Sequence, residues 1–127
     1  AGLLVERGDL RRALEQEFRA KLLRLRQAFA AHAADSRALG QVAAHSVASV
    51  AALFRVALSL HSRAVPPTTP ECLAAAGAAL GVSTAAVAEL WHARRGSAPC
   101  SPELFEAYLG AVASAVRVID QFIPGGN

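Results

Sequence analysis

The sequence predicts an all-α protein, an up-down four-helix bundle with an additional short helix, and three observations carry that expectation. Alanine dominates a chain whose hydrophobic fraction is 54%, and β-branched and aromatic residues are too thinly spread to build a sheet. The run from Arg37 to His61 has no formally charged side chain between Arg37 and Arg55, and it is apolar in nearly every helical direction. Such a helix is buried on most sides and needs more than one packing partner. The remaining apolar residues recur at steps of three and four rather than two.

Asp9 is the expected N-cap of a long first helix running to about Ala34. Leu10, Leu14, Phe18, Leu22, Leu25 and Phe29 define its core stripe. On its outer surface Glu15 with Arg19 and Glu17 with Lys21 are ion pairs four residues apart, each worth about 0.3–0.5 kcal/mol to a helix. Asp35 and Ser36 break the pattern and start the central helix, which carries two seams. Leu39, Val42, Leu53, Val56 and Leu60 make one, with Ser46 and Ser49 inside it, and Val47, Val50, Phe54 and Leu58 make the other. Pro66-Pro67 ends that run, because proline lacks the N–H and clashes with the preceding turn. Thr69, Pro70 and Glu71 then read as cap, first turn and acidic first-turn residue of a third helix that Gly81 stops. Ser83 is the expected cap of a short fourth helix with Val87, Leu90 and Trp91 inward. Ser101, Pro102 and Glu103 open the last helix, with stripes Leu104, Tyr108, Ala111, Ala115, Val118, Phe122 and Phe105, Leu109, Val112, Val116, Ile119. Small residues (Ala43, Ser46, Ala57; Gly110, Ala111, Ala115) are expected to let the central and last helices approach closely.

At 127 residues the chain is of single-domain size, so residues 1–127 are expected to form one helical-bundle domain with a flexible tail at 123–127. The net charge of +3 is too diffuse for a dedicated nucleic-acid face and only hints at anionic partners. Cys72 and Cys100 lack metal-ligand spacing and read as two intracellular thiols, with one structural disulfide as the alternative, and charge interrupts the N-terminal AGLLVERGD too early for a signal peptide. A cytoplasmic location follows as the expectation. Gln41, His45, Ser46 and Ser49 interrupt the central apolar run, which favours a core helix over a membrane span, so no membrane partner is expected.

Candidate chemistry is sparse. Arg12, Arg19 and Arg26 fall seven apart and line one helix edge, and Arg94 and Arg95 close the fourth helix; these five are the candidate ligand-binding residues for an anion. Arg55 is the one charge well inside the central helix, with Glu103, Glu106 and Asp120 as candidate ion-pair partners. His32, His45, His61 and His92 show neither HxxxH nor HExxH spacing, so no metal site and no cofactor are expected. Arg26 with His32, and Arg55 with His61, have five residues between them. That spacing resembles the Arg-x(4-6)-His motif of HEPN helical-bundle ribonucleases. In that alternative His61 transfers a proton and Arg55 stabilises phosphate.

The segments DLRRALEQEFRAKLLRLRQAF, HSVASVAALFRVALSL with its proline loop, LGVSTAAVAELWHARRG and LFEAYLGAVASAVRVID together resemble the C-terminal helical domain of bacterial nucleotidyltransferase-like proteins. The resemblance implies a bundle that packs against an N-terminal sheet domain and helps form the substrate cleft or a dimer face. The catalytic Gly-Ser turn and paired aspartates belong to that sheet domain. Here Asp9, Asp35 and Asp120 are scattered over helical segments, and Gly96-Ser97 is not followed by Asp-x-Asp. The expected role is therefore a non-catalytic accessory or substrate-binding domain, with a nucleotidyltransferase-like domain as partner and a nucleotide or other anion as ligand. The chain begins at alanine, for which the expectations are a removed leader or a piece of a longer protein, the second fitting the resemblance. A HEPN-like ribonuclease of the toxin type and a plain oligomerisation bundle forming a homodimer are the alternatives.

Overall fold

The computed structural model describes residues 7–61, 64–96 and 98–121. The expected tail at 123–127, Phe122 of the last helix's expected stripe and residues 1–6 lie outside them. Among the described residues there are five helices and no strand: α1 Arg7–His32, α2 Ser36–Leu60, α3 Thr69–Leu80, α4 Ala85–Ala93 and α5 Pro102–Asp120. They pack as a helical bundle in which α2 touches all four others and α1 packs on both α2 and α5.

By length and composition α2 is apolar enough to cross a membrane, with a mean hydropathy of 1.5. In the fold, its Leu39, Ala43, Val47, Val50, Phe54 and Leu58 are buried against the neighbouring helices. The second of the two expected seams is thus the centre of the core. The first enters the core only at Leu39, which is fully buried, and is otherwise its flank: Val42, Leu53 and Leu60 are half-buried, and Val56 is exposed. Two residues advance a helix by about 200°, so Val56 must face away from the buried Phe54.

Leu14, Phe18, Leu22 and Leu25 of α1 are buried as expected, while Leu10 is exposed. Each four-residue step drifts about 40° around a helix. Two such steps back from Phe18 carry Leu10 to the margin of the stripe. Aromatic rings lock the three long helices. Phe18 meets Phe54 edge-on at 5.1 Å between centroids, Phe29 stacks on Phe105 at 5.8 Å, and Phe105 meets Tyr108 edge-on at 5.8 Å. Such pairs add about 0.5–1.5 kcal/mol each beyond their buried area.

The helix boundaries follow local chemistry, with three shifts from expectation. Asp9 lies inside the first turn of α1, where its carboxylate pairs with Arg12 at 2.6 Å instead of capping the helix. Thr68, not Thr69, caps α3: its Oγ1 accepts from the Glu71 N–H at 3.3 Å and donates to the Glu71 carboxylate at 2.8 Å. Thr84, not Ser83, precedes α4, and it offers no side-chain cap because its hydroxyl donates to the Leu73 carbonyl at 2.8 Å. Asp35 and Ser101 cap α2 and α5 through the N–H groups of Ala38 and Leu104. Gly81 ends α3 at φ 71°, the left-handed region glycine enters freely.

Close approach is supplied by a different glycine from the one expected. Gly110 faces open space, whereas a side chain on Gly40 would overlap the backbone of the 98–100 loop. That loop is tied to the start of α2 by the Cys100 N–H donating to the Ser36 carbonyl at 2.9 Å. Cys72 and Cys100 are both free and buried.

Candidate functional site

The arginine edge of α1 is largely committed to intramolecular pairing. Arg12 pairs with Asp9, and Arg19 reaches Glu15 at 2.9 Å and Asp120 of α5 at 3.8 Å. Arg11, which the seven-residue spacing did not single out, shares Glu15 at 3.5 Å and donates to the Ile119 carbonyl at 3.3 Å. A guanidinium at the carbonyl end of α5 suits that helix's dipole. The network therefore joins the first turns of α1 to the end of α5. Arg26 is exposed and makes neither a hydrogen bond nor an ion pair among the described residues.

Arg94 lies 3.5 Å from the centroid of the Trp91 ring and donates to the Trp91 carbonyl at 2.7 Å, so it closes α4 on itself. Arg95 is exposed on the turn that follows. The five predicted arginines thus sit on two elements, three on α1 and two at the end of α4, and do not converge on one pocket.

Arg55 is half-buried on α2 and, among the described residues, pairs with none of Glu103, Glu106 and Asp120. Both glutamates are exposed on α5, and Asp120 is turned toward Arg19. His61 is the C-cap of α2, its N–H donating to the Ala57 and Leu58 carbonyls at 3.1 Å. Because α2 is continuous to Leu60, the six residues from Arg55 to His61 advance about 600° and place the two side chains on different faces.

A site that the arginine spacing missed lies on the other flank of α1. Lys21 and Arg24 of α1, with Gln41, Val42, His45 and Ser46 of α2, line an open groove of about 430 Å³ floored by Leu25. Lys21 follows Phe18 by three residues and Arg24 by six, which carries both about 60–120° off the core direction, toward α2. Arg19 leaves by about 100° the other way, toward α5. Neither Lys21 nor Arg24 makes a hydrogen bond or ion pair among the described residues, so the expected Glu17–Lys21 pair is not formed. The coupling that such a pair offers is small, and Lys21 instead lines the groove.

Beneath the groove, Ser46 Oγ and Tyr108 Oη are 2.8 Å apart, and Tyr108 is fully buried. Burial pushes the Tyr108 hydroxyl well above its ordinary pKa; the Ser46 hydrogen bond pulls the other way, and nearby Cys100 adds to the rise. The Cys100 thiol is itself raised, first by burial and then by the Glu89 carboxylate. Tyr108 is therefore a neutral, structural hydroxyl at ordinary pH.

Among the described residues no three His, Cys, Asp or Glu side chains are grouped to hold a metal ion. The groove brings together two cations, an amide, an imidazole and a hydroxyl. Such a set can bind an anion by charge-assisted hydrogen bonds. The sequence signal for it was the symmetry of the hairpin about Asp35, which sets Leu25 level with His45 and Arg24 level with Ser46. Comparison with known protein families, curated proteins and solved structures returns no match for this chain.

Proposed function

We propose that this chain is a non-catalytic helical domain that binds an anionic ligand in the α1–α2 groove, as accessory to a nucleotidyltransferase-like module. The observation that carries the reading is the pair of uncommitted cations, Lys21 and Arg24, at a groove of ligand size. The carboxylates give no support to phosphoryl transfer by the chain itself, since Asp9, Asp35 and Asp120 sit at three different helix ends and Asp9 and Asp120 face arginines. The continuous helix between Arg55 and His61 gives the ribonuclease alternative no support.

Titration calorimetry with a nucleoside triphosphate tests this reading. The expected result is saturable binding that weakens about tenfold or more in the Lys21→Ala/Arg24→Ala double variant, the scale of one lost charge-assisted hydrogen bond. No pyrophosphate release is expected. RNA cleavage by the purified chain that disappears in His61→Ala would overturn the proposal.

A further inference from the structure

We infer that the α1–α2 groove takes a small organic phosphate monoester, its dianionic head on Lys21 and Arg24 and its uncharged body over Leu25 and Val42 toward Gln41 and His45. This rests on the anion-binding reading above and narrows it to one ligand class. Lys21 and Arg24 are three positions apart on one helix, so their Cβ atoms are about 5–6 Å from each other. At that spacing two long cationic side chains reach the same multi-oxygen anion. The guanidinium offers a planar fork for two oxygens and the ammonium a mobile point charge for a third.

The charge is also available. Arg11, Arg12 and Arg19, earlier on the same helix, each face a carboxylate, whereas among the described residues Lys21 and Arg24 face none. The facing wall is different in kind. Gln41 presents an amide that both donates and accepts, and His45 an imidazole, while the floor between is the 2%-exposed Leu25 and half-buried Val42. The groove therefore has one strongly positive end, an apolar middle and a hydrogen-bonding far wall. A ligand with one anionic head and an uncharged polar body matches all three, while a second anionic group at the far wall would meet no lysine or arginine of the lining.

A polymeric phosphate backbone matches less well. Such a partner needs cations in succession along its track. On α1 the preceding arginines point to the α5 flank and are held by Asp9, Glu15 and Asp120. The volume of about 430 Å³ is that of a small-molecule site.

The test uses the full chain at pH 7.5, above the second phosphate pKa of about 6, with four probes: phenyl phosphate, inorganic phosphate, benzoate and a single-stranded oligonucleotide. Calorimetry gives affinities. NMR follows the amides of residues 21–25 and 41–46 and the ring of Tyr108, unambiguous because the chain has one tyrosine. Phenyl phosphate should bind at least tenfold more tightly than inorganic phosphate or benzoate and shift the Tyr108 ring through Ser46. Lys21→Ala/Arg24→Ala should remove the preference, and Val42→Ser should weaken phenyl phosphate severalfold while leaving inorganic phosphate unchanged. An unaltered urea midpoint shows that each variant still folds. Equal affinity for phenyl phosphate and either simple anion would overturn the monoester assignment and leave the anion-binding reading standing. Tighter binding of the oligonucleotide through the same two cations would overturn it in favour of a polymer. Binding of no probe in a manner sensitive to Lys21 and Arg24 would remove both readings together.

Discussion

Replacing Gly40 by alanine sets two effects of known sign against each other. Helix propensity alone favours the change by about 1 kcal/mol, since Gly40 lies inside α2. Sterically, the added methyl overlaps the Ala98 carbonyl oxygen and comes to 3.1 Å from Pro99 Cα and 3.2 Å from Cys100 N. All three are backbone atoms, so no side chain can swing aside to relieve them. The 98–100 loop has to move away from α2, which strains the hydrogen bond from Cys100 N–H to the Ser36 carbonyl. Overpacking of this kind costs about 1–3 kcal/mol, and the hydrogen bond contributes about 1 kcal/mol more. The net expectation is a loss of about 1–3 kcal/mol, which for a chain of this length lowers Tm by several degrees. Gly110→Ala is the control. Nothing lies within 4 Å of its added methyl, so it should gain up to about 1 kcal/mol from propensity. Urea denaturation followed by helical circular dichroism measures both, with unchanged slopes and midpoints moving in opposite directions. If Gly40→Ala proved as stabilising as Gly110→Ala, the packing of the loop on α2 described above would be wrong.

Tyr108→Phe should lower stability at pH 7 by about 1 kcal/mol, the net value of the hydrogen bond with Ser46. It should also flatten the alkaline limb of the stability curve. The native hydroxyl is raised above the ordinary value of 10.0, so above that pH the unfolded state has released a proton that the native state keeps. The tyrosine's contribution is complete below pH 10 and is lost above it, at about 1.4 kcal/mol per pH unit until the native group also ionises. Cys100, also raised, loses stability in the same direction above 9.0 and is present in both proteins, so the difference between their pH curves isolates Tyr108. Thr84→Val, nearly isosteric, removes the buried donor to the Leu73 carbonyl and should cost about 1 kcal/mol. An unchanged melting temperature would show that the hydroxyl does not hold the start of α4.

Several elements were legible because their causes are local. Pro66-Pro67, Gly81 at its positive φ, and Ser101-Pro102-Glu103 each impose or forbid backbone geometry within a few residues, and α3, α5 and the loop between α2 and α3 fall where they indicate. Boundaries slipped by one residue where two adjacent hydroxyls compete, as at Thr68 and Thr69. Ser83 lost the position before α4 to Thr84, whose hydroxyl bonds across to α3. The binding residues were less legible. Spacing of seven selected Arg12, Arg19 and Arg26 as an edge, but spacing states only that side chains share a direction. The four-residue step did pair Glu15 with Arg19, as the structure has it, but nothing in the spacing reveals that Asp120 of α5 waits in the same direction.

The sequence by itself determined that the protein is helical and that the run from Arg37 to His61 is its central helix, because a nearly charge-free run of that length is stable in water only inside a sheath of other helices. Local spacing already offered Asp9 to Arg12 and Glu15 to Arg19, but only the tertiary structure decided that Lys21 and Arg24 line a groove with no carboxylate in it. A guanidinium's fate depends on what the neighbouring helix brings within about 4 Å, and that is fixed by how α1 turns its flanks: Arg19 toward Asp120 on α5, Lys21 and Arg24 toward the uncharged side chains of α2.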